Sequence, residues 1–191
     1  MSQHDVLRPT LLVPALSQLS IGQTLTVGTF RSDLNGTLVP GNKAQCPPAV
    51  SSTAAILPGQ YAISATDGSN ATYWRPQTRD ASSLYIDLGK VQNFRSVHLN
   101  FNHNPPKSYT IYAGLTNSTA GLQQIAKVDD VKITAPYNAD DANIVRVRLA
   151  NTSDVTLPKS IKARFVQLVV EGVQTEDASG AGATVAEIAV V

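Results

Sequence analysis

Along most of this chain hydrophobic and polar residues alternate with a period of two. Over residues 94–101, Val97, Leu99 and Phe101 alternate with Ser96, His98 and Asn100. Over 144–149, Val145, Val147 and Leu149 alternate with Arg146 and Arg148. Successive side chains of a strand point to opposite faces, so this pattern predicts strands with one buried side. Strands are predicted at 84–88, 94–101, 109–113, 123–131, 144–149, 164–171 and 184–191. A further one is expected at 23–30, and a short one within 49–56. They are short, rich in β-branched residues and separated by Gly, Pro, Asn and Asp clusters. No window carries a helical 3.6-residue stripe. The fold class predicted is all-β, a two-sheet jelly-roll sandwich. Residues 1–19, rich in Pro, Leu and Ser without a clean period, are expected to be an N-terminal arm or linker. Residues 20–191 are expected to form a single domain.

Composition narrows the function more than the fold. The chain has 191 residues, enough for one domain with a sizeable core. Its net charge of +1 supplies no electrostatic reason for nucleic acid or an anionic membrane as partner. No apolar run approaches the ~20 residues of a membrane helix, so membrane insertion is not expected. Leu11-Leu12-Val13 is cut short by Pro14 and has no basic segment before it, unlike a signal peptide. The single cysteine, Cys46, excludes an internal disulfide and pairwise cysteine metal sites, and its loop context suits an inert thiol. N-glycosylation acceptors occur at Asn35, Asn70, Asn117 and Asn151, where composition alone would give about two. That excess suits a secreted protein, extracellular or in a cell wall. A secreted chain without a signal peptide is expected to be part of a longer precursor.

One stretch concentrates candidate chemistry: Ala65-Thr66-Asp67-Gly68-Ser69-Asn70-Ala71-Thr72-Tyr73-Trp74. Asp67-Gly68 is a turn pair, in which the carboxylate can accept nearby backbone N–H groups and glycine tolerates positive φ. With Thr72 it can build an oxygen cage for a hard cation such as calcium. Trp74, the single tryptophan, closes the stretch with a large apolar body.

The spacing of Ala65, Asp67-Gly68, Thr72 and Trp74, followed by Asp87-Leu88-Gly89, resembles the discoidin-like (coagulation-factor C-type) domains and related galactose-binding-like carbohydrate-binding modules. The later stretches Ala163-Arg164-Phe165-Val166-Gln167-Leu168 and Ala186-Glu187-Ile188-Ala189-Val190 are similar to that family's last two strands. The likeness covers roughly residues 60–191. Pro58-Gly59-Gln60-Tyr61-Ala62, Asn104-Pro105-Pro106-Lys107-Ser108 and Gly182-Ala183-Thr184-Val185-Ala186-Glu187 further resemble the C-terminal domain of secreted fungal acid trehalases, of glycoside hydrolase family 65.

The resemblance implies a structural calcium held by Asp67, Thr72 and Glu187, with Ser64 and Ser69 completing the shell. The alternative is that Asp67 caps its own turn while Glu187 bonds loop amides. It implies carbohydrate as a weakly bound partner and a parent catalytic domain as the other. Loops at the sandwich ends are the natural place for a sugar, so His103 with Asn102 and Asn104, Arg75, and the loop aromatic Tyr137 are the candidate contacts. Trp74 is expected in the core instead. No nucleophile elbow or phosphate loop is present, and Asp129-Asp130 and Asp140-Asp141 are adjacent pairs whose members point apart. The chain is therefore expected to be a non-catalytic carbohydrate-binding or accessory module of a secreted glycoside hydrolase. The competing expectation is a purely structural domain packed on the catalytic one, with no sugar site.

Overall fold

The computed structural model describes residues 41–45, 47, 49–132, 151–174 and 179–191. The expected arm at 1–19, the strands at 23–30 and 144–149, Cys46, Tyr137 and Asp140-Asp141 lie outside them. Among the described residues six strands occur: β1 (Ala49–Ser52), β2 (Ser82–Asn100), β3 (Ser108–Gly114), β4 (Gln123–Val128), β5 (Thr152–Glu171) and β6 (Glu187–Val190). The helical content described is two single 3-10 turns, Ala62–Ala65 and Thr119–Gly121. All of these pairings are antiparallel, the arrangement in which one solvated face and period-two alternation are common.

The architecture hangs on the two long strands, β2 and β5, which run side by side and change register twice. Between Asp87 and Gln92 four residues of β2, Leu88–Val91, face the lone Arg164 of β5. Between Phe94 and Ser96 the imbalance reverses, and Leu157–Ser160 of β5 face Arg95. Bulges of this kind bend and twist a ribbon, so each long strand serves two layers. In one layer β1, the first half of β2, the second half of β5, β3 and β4 lie in that order. In the other, β6, the second half of β2 and the first half of β5 lie together.

The inward faces meet in one core. Leu84, Ile86, Ile111, Val166 and Leu168 come from the first layer; Val97, Leu99, Ile188 and Val190 come from the second. All are essentially inaccessible to water. Each such side chain contributes about 1.5–3 kcal/mol by leaving water, which makes the alternation the main determinant of which face turns inward. Tyr109 bridges the layers, its ring beside Phe101 and its hydroxyl bonded to Ser153 Oγ at 2.7 Å. Burial pushes its phenol above the ordinary value, with Ser153 pulling the other way.

Several boundaries differ from expectation. The segments 84–88 and 94–101 are one strand, since Gly89 (φ 81°) turns a bulge and does not end the ladder. The predicted 164–171 is only the second half of β5; Pro158 sits in the bulge, where no ladder N–H is needed. β4 stops at Val128, short of 131. β6 begins at Glu187 because Val185 pairs with Trp74 instead.

Candidate functional site

The Asp67 loop is built from both ends of the domain. It is entered through the 3-10 turn Ala62–Ala65, where Ser64 N–H donates to Tyr61 O and Thr66 N–H to Ile63 O. Asp67 Oδ1 accepts the N–H of Ser69 at 2.8 Å, and Oδ2 accepts the Thr72 hydroxyl at 2.7 Å. Gly68 adopts φ 77°, a conformation glycine takes without steric penalty. That turn aims its N–H at Glu187 Oε2, 2.9 Å away and 119 residues later in the chain. The other Glu187 oxygen accepts from Asn42 Nδ2 at 3.3 Å. Trp74 closes the loop by exchanging both backbone bonds with Val185 and burying its indole completely.

Asp67 and Thr72 of this loop are thus brought together with Glu187 of β6, with Ser64 and Ser69 buried in the loop's wall. The donors are all oxygen and include two carboxylates already turned toward the loop, a set that suits a hard cation such as calcium. Among the described residues no group of three or more His, Cys, Asp or Glu side chains converges. Hydroxyl and carbonyl oxygens would therefore supply the remaining ligands. The same carboxylates also lock the turn by hydrogen bonds, so the two alternatives read from the sequence share one geometry.

A second loop, Phe101–Pro106, is tied to the first. Asn102 is its hub, a non-glycine residue at φ 56°. Its N–H donates to Asn100 Oδ1, its Nδ2 to Asn70 O at 3.0 Å, and its carbonyl accepts Asn151 Nδ2 at 2.7 Å. Its Oδ1 meets His103 Nδ1 at 3.1 Å. The His103 imidazole stands edge-on to Tyr73, centroids 5.1 Å apart at 75°. Both rings are half-buried, so part of each faces solvent beside the Asp67 loop.

Three of the expected sugar contacts are placed differently. Asn102, Asn104 and Arg75 are buried, at 0%, 2% and 6% exposure. Asn104 exchanges backbone bonds with the Thr184 hydroxyl and N–H, and Arg75 Nε donates to Gly182 O at 2.9 Å. All three are withdrawn from solvent, and the Arg75 and Asn102 side chains give donors to loop carbonyls, as buried polar groups must find partners within the protein. Tyr73, which the sequence already places on the flank of the Asp67 loop, stands beside His103. Asn42 and Asn151 fasten the loop system, a role the pattern does not announce for either. Asp129 and Asp130 are exposed, each paired with a nearby lysine, Lys127 and Lys132.

The family model of the F5/8 type C domain matches residues 49–188. The acid trehalase of Emericella nidulans is 29% identical over 189 residues, spanning 85% of this chain and 18% of its own length. The cell wall acid trehalase of Arthroderma benhamiae is 29% identical over 184 residues, covering 80% of this chain and 17% of its own. The chain therefore spans less than a fifth of these curated relatives. Among solved structures, chitosan-binding module 1 of a Paenibacillus chitosanase/glucanase superposes with a TM-score of 0.62 at 20% identity, over 78% of this chain and 98% of that one. Module 2 of the same enzyme, solved with chitotriose, gives 0.60 at 20% identity, with the same coverages.

Proposed function

The chain belongs to the F5/8 type C domain family, a non-catalytic type of module, and from that premise we propose that it is a carbohydrate-binding accessory module of a secreted, acid trehalase-like glycoside hydrolase. The observation that carries this reading is the Tyr73–His103 ring pair, held partly open to solvent on loops that Asn102 ties together. An aromatic face and an imidazole N–H side by side are what a pyranose uses, apolar C–H surface on one side and hydroxyls on the other. Similarity to acid trehalases, one of them a cell wall protein, supports the parent enzyme and an extracellular location. Similarity of fold to chitosan-binding modules supports sugar as the ligand class. Calcium at Asp67, Thr72 and Glu187 would be structural, bracing the loop behind the rings. Affinity electrophoresis of the chain through chitosan-containing gels, with titration of trehalose, chitotriose and galactose, tests the reading. Retardation or saturable binding that His103→Ala abolishes supports it; indifference to every sugar rejects it.

A second reading, a structural domain packed on the catalytic one, is favoured by a different observation. Tyr61 and Ile63, on the turn entering the Asp67 loop, are 55% and 47% exposed. Two neighbouring apolar side chains left in water suit a protein contact more than a sugar. Replacing both by serine would then weaken association with the catalytic region without touching sugar binding.

A further inference from the structure

We propose that Asn117 carries an N-linked glycan and that Asn151, whose sequence signal is equally good, does not. The inference rests on the secretory route of the proposed function and is independent of any sugar-binding site. Transfer precedes folding, so the fold decides which glycosylated chains can still reach the native state.

Asn117 lies in the loop joining β3 to β4 and is exposed, as are Ser118 and Thr119 of its acceptor triplet. The Tyr85 hydroxyl donates to Asn117 Oδ1 at 3.1 Å, engaging the oxygen and not the nitrogen that would bear the sugar. Ser118 is extended (φ −155°, ψ 132°), which separates Asn117 from the turn that follows. That turn is tight: Gly121 N–H donates to Ser118 O, and the backbone packs so closely that a Cβ on Gly114 would meet Gly121 O at 2.7 Å. The acceptor triplet is therefore held out from the sheet by a fixed scaffold.

Asn151 is the opposite case. It is 1% exposed, and its Nδ2 donates to Asn102 O at 2.7 Å. A sugar would take one of the two hydrogens of that nitrogen and would have to occupy packed protein. Asn70 is intermediate: it is half-buried, and the Thr72 hydroxyl of its triplet is given to Asp67. Asn35 lies outside the described residues.

In the transfer, Asn117 Nδ2 attacks C1 of the first sugar of a lipid-pyrophosphate-linked oligosaccharide. The N–C1 bond forms and the C1–O bond to pyrophosphate breaks. The amide nitrogen gives up one proton, and the lipid pyrophosphate leaves with the electron pair.

The full chain, directed through the secretory pathway of a yeast by an added leader, provides the test whatever its native destination. Enzymatic deglycosylation in heavy-oxygen water converts a glycosylated asparagine to labelled aspartate, read by peptide mass spectrometry. Label is expected at Asn117 and at higher occupancy there than at Asn70, with none at Asn151. Asn117→Gln and Thr119→Ala should each remove one glycan from the intact mass and leave the melting temperature nearly unchanged. Asn151→Gln should lower the melting temperature and remove no glycan. An unmodified Asn117 in the secreted protein overturns the proposal, as does a glycan at Asn151 in protein that melts cooperatively.

Discussion

Arg164 grips Asp87 with two parallel hydrogen bonds, Nε to Oδ1 and Nη2 to Oδ2, each 2.8 Å. Asp87 Oδ1 also accepts the Gly89 N–H, so this pair closes the mouth of the bulge in β2. The bulge in β5 is closed in the same way by the residue opposite it, Arg95, whose Nε donates to Leu157 O at 3.1 Å. The hydrogen bonds from Arg164 hold the Asp87 carboxyl below its ordinary pKa, outweighing the opposing effect of burial, with Gly89 assisting. A carboxyl whose folded pKa is depressed stabilises the fold above its unfolded value, about 4. That contribution is lost as pH falls through the lower folded value. Asp87→Asn is therefore expected to lower the melting temperature most near neutral pH and progressively less below about pH 4. The effect should be small, because the Arg164 side chain is 42% exposed and water screens the pair. A gap between wild type and variant that stays constant across the acid range would show that the ion pair is not its source.

Calcium binding is expected to show in stability before it shows in function. A ligand that binds only the folded state adds RT ln(1 + [L]/Kd), about 2.7 kcal/mol at a hundredfold excess over Kd. For a chain of this size that is roughly 5–10 °C in melting temperature. Chelator should lower the melting point by that order and added calcium should restore it, with magnesium a poor substitute because of its smaller octahedral shell. Asp67→Ala should begin at the lowered value and respond to neither. Identical melting of the wild type with and without chelator leaves Asp67 and Glu187 as turn locks alone.

Sugar affinity at the Tyr73–His103 pair is expected in the millimolar range, about −4 kcal/mol, for one exposed ring and a few hydrogen bonds. His103→Ala and Tyr73→Ala should each abolish measurable binding in calorimetric titration, with melting temperatures close to wild type. Arg75→Ala should do the reverse, destabilising the fold through the lost bond to Gly182 O. Binding that persists in a His103→Ala, Tyr73→Ala double variant would place the ligand elsewhere.

Gly182 is expected to be the least replaceable glycine of the closing segment. A Cβ there would meet Thr78 O at 2.4 Å and Pro76 Cγ at 2.6 Å, while Gly182 itself exchanges bonds with Pro76 O and Arg75 Nε. The obstacle is backbone, which cannot rotate away. Gly182→Ala should cost about 1–3 kcal/mol, measured by urea unfolding with an unchanged m value. A neutral result would mean that the segment shifts as a unit.

The sequence made the layers legible because alternation is a local record of which face is buried. Leu84, Ile86, Val97 and Leu99 all turn inward as their spacing requires. It concealed the continuity of β2 and β5, since Gly89 and Pro158 look like stops until the partner strand shows that each sits in a bulge. The hydrogen-bonded turn at Asp67 was legible through Asp67, Gly68 and Thr72, whose bonds are mostly local. The burial of Asn102 and Asn104 was not, because a polar residue in a loop reads as exposed. Asn102 and Asn104 are buried by partners at Asn70, Asn151 and Thr184, which no local pattern announces.

The bond from Gly68 to Glu187 also sets a timetable. The Asp67 loop leaves the ribosome while more than half of the domain is still unmade, and the strand that completes it comes last. Until β6 emerges, β2 lacks one of its two neighbours in the second layer, and Asn42 lacks its bonds to Glu187 and Val190. Pairings so distant along the chain form slowly and expose unpaired edges meanwhile. The nascent chain must then be kept soluble with its first loop open, and the domain closes only once translation has passed its final strand.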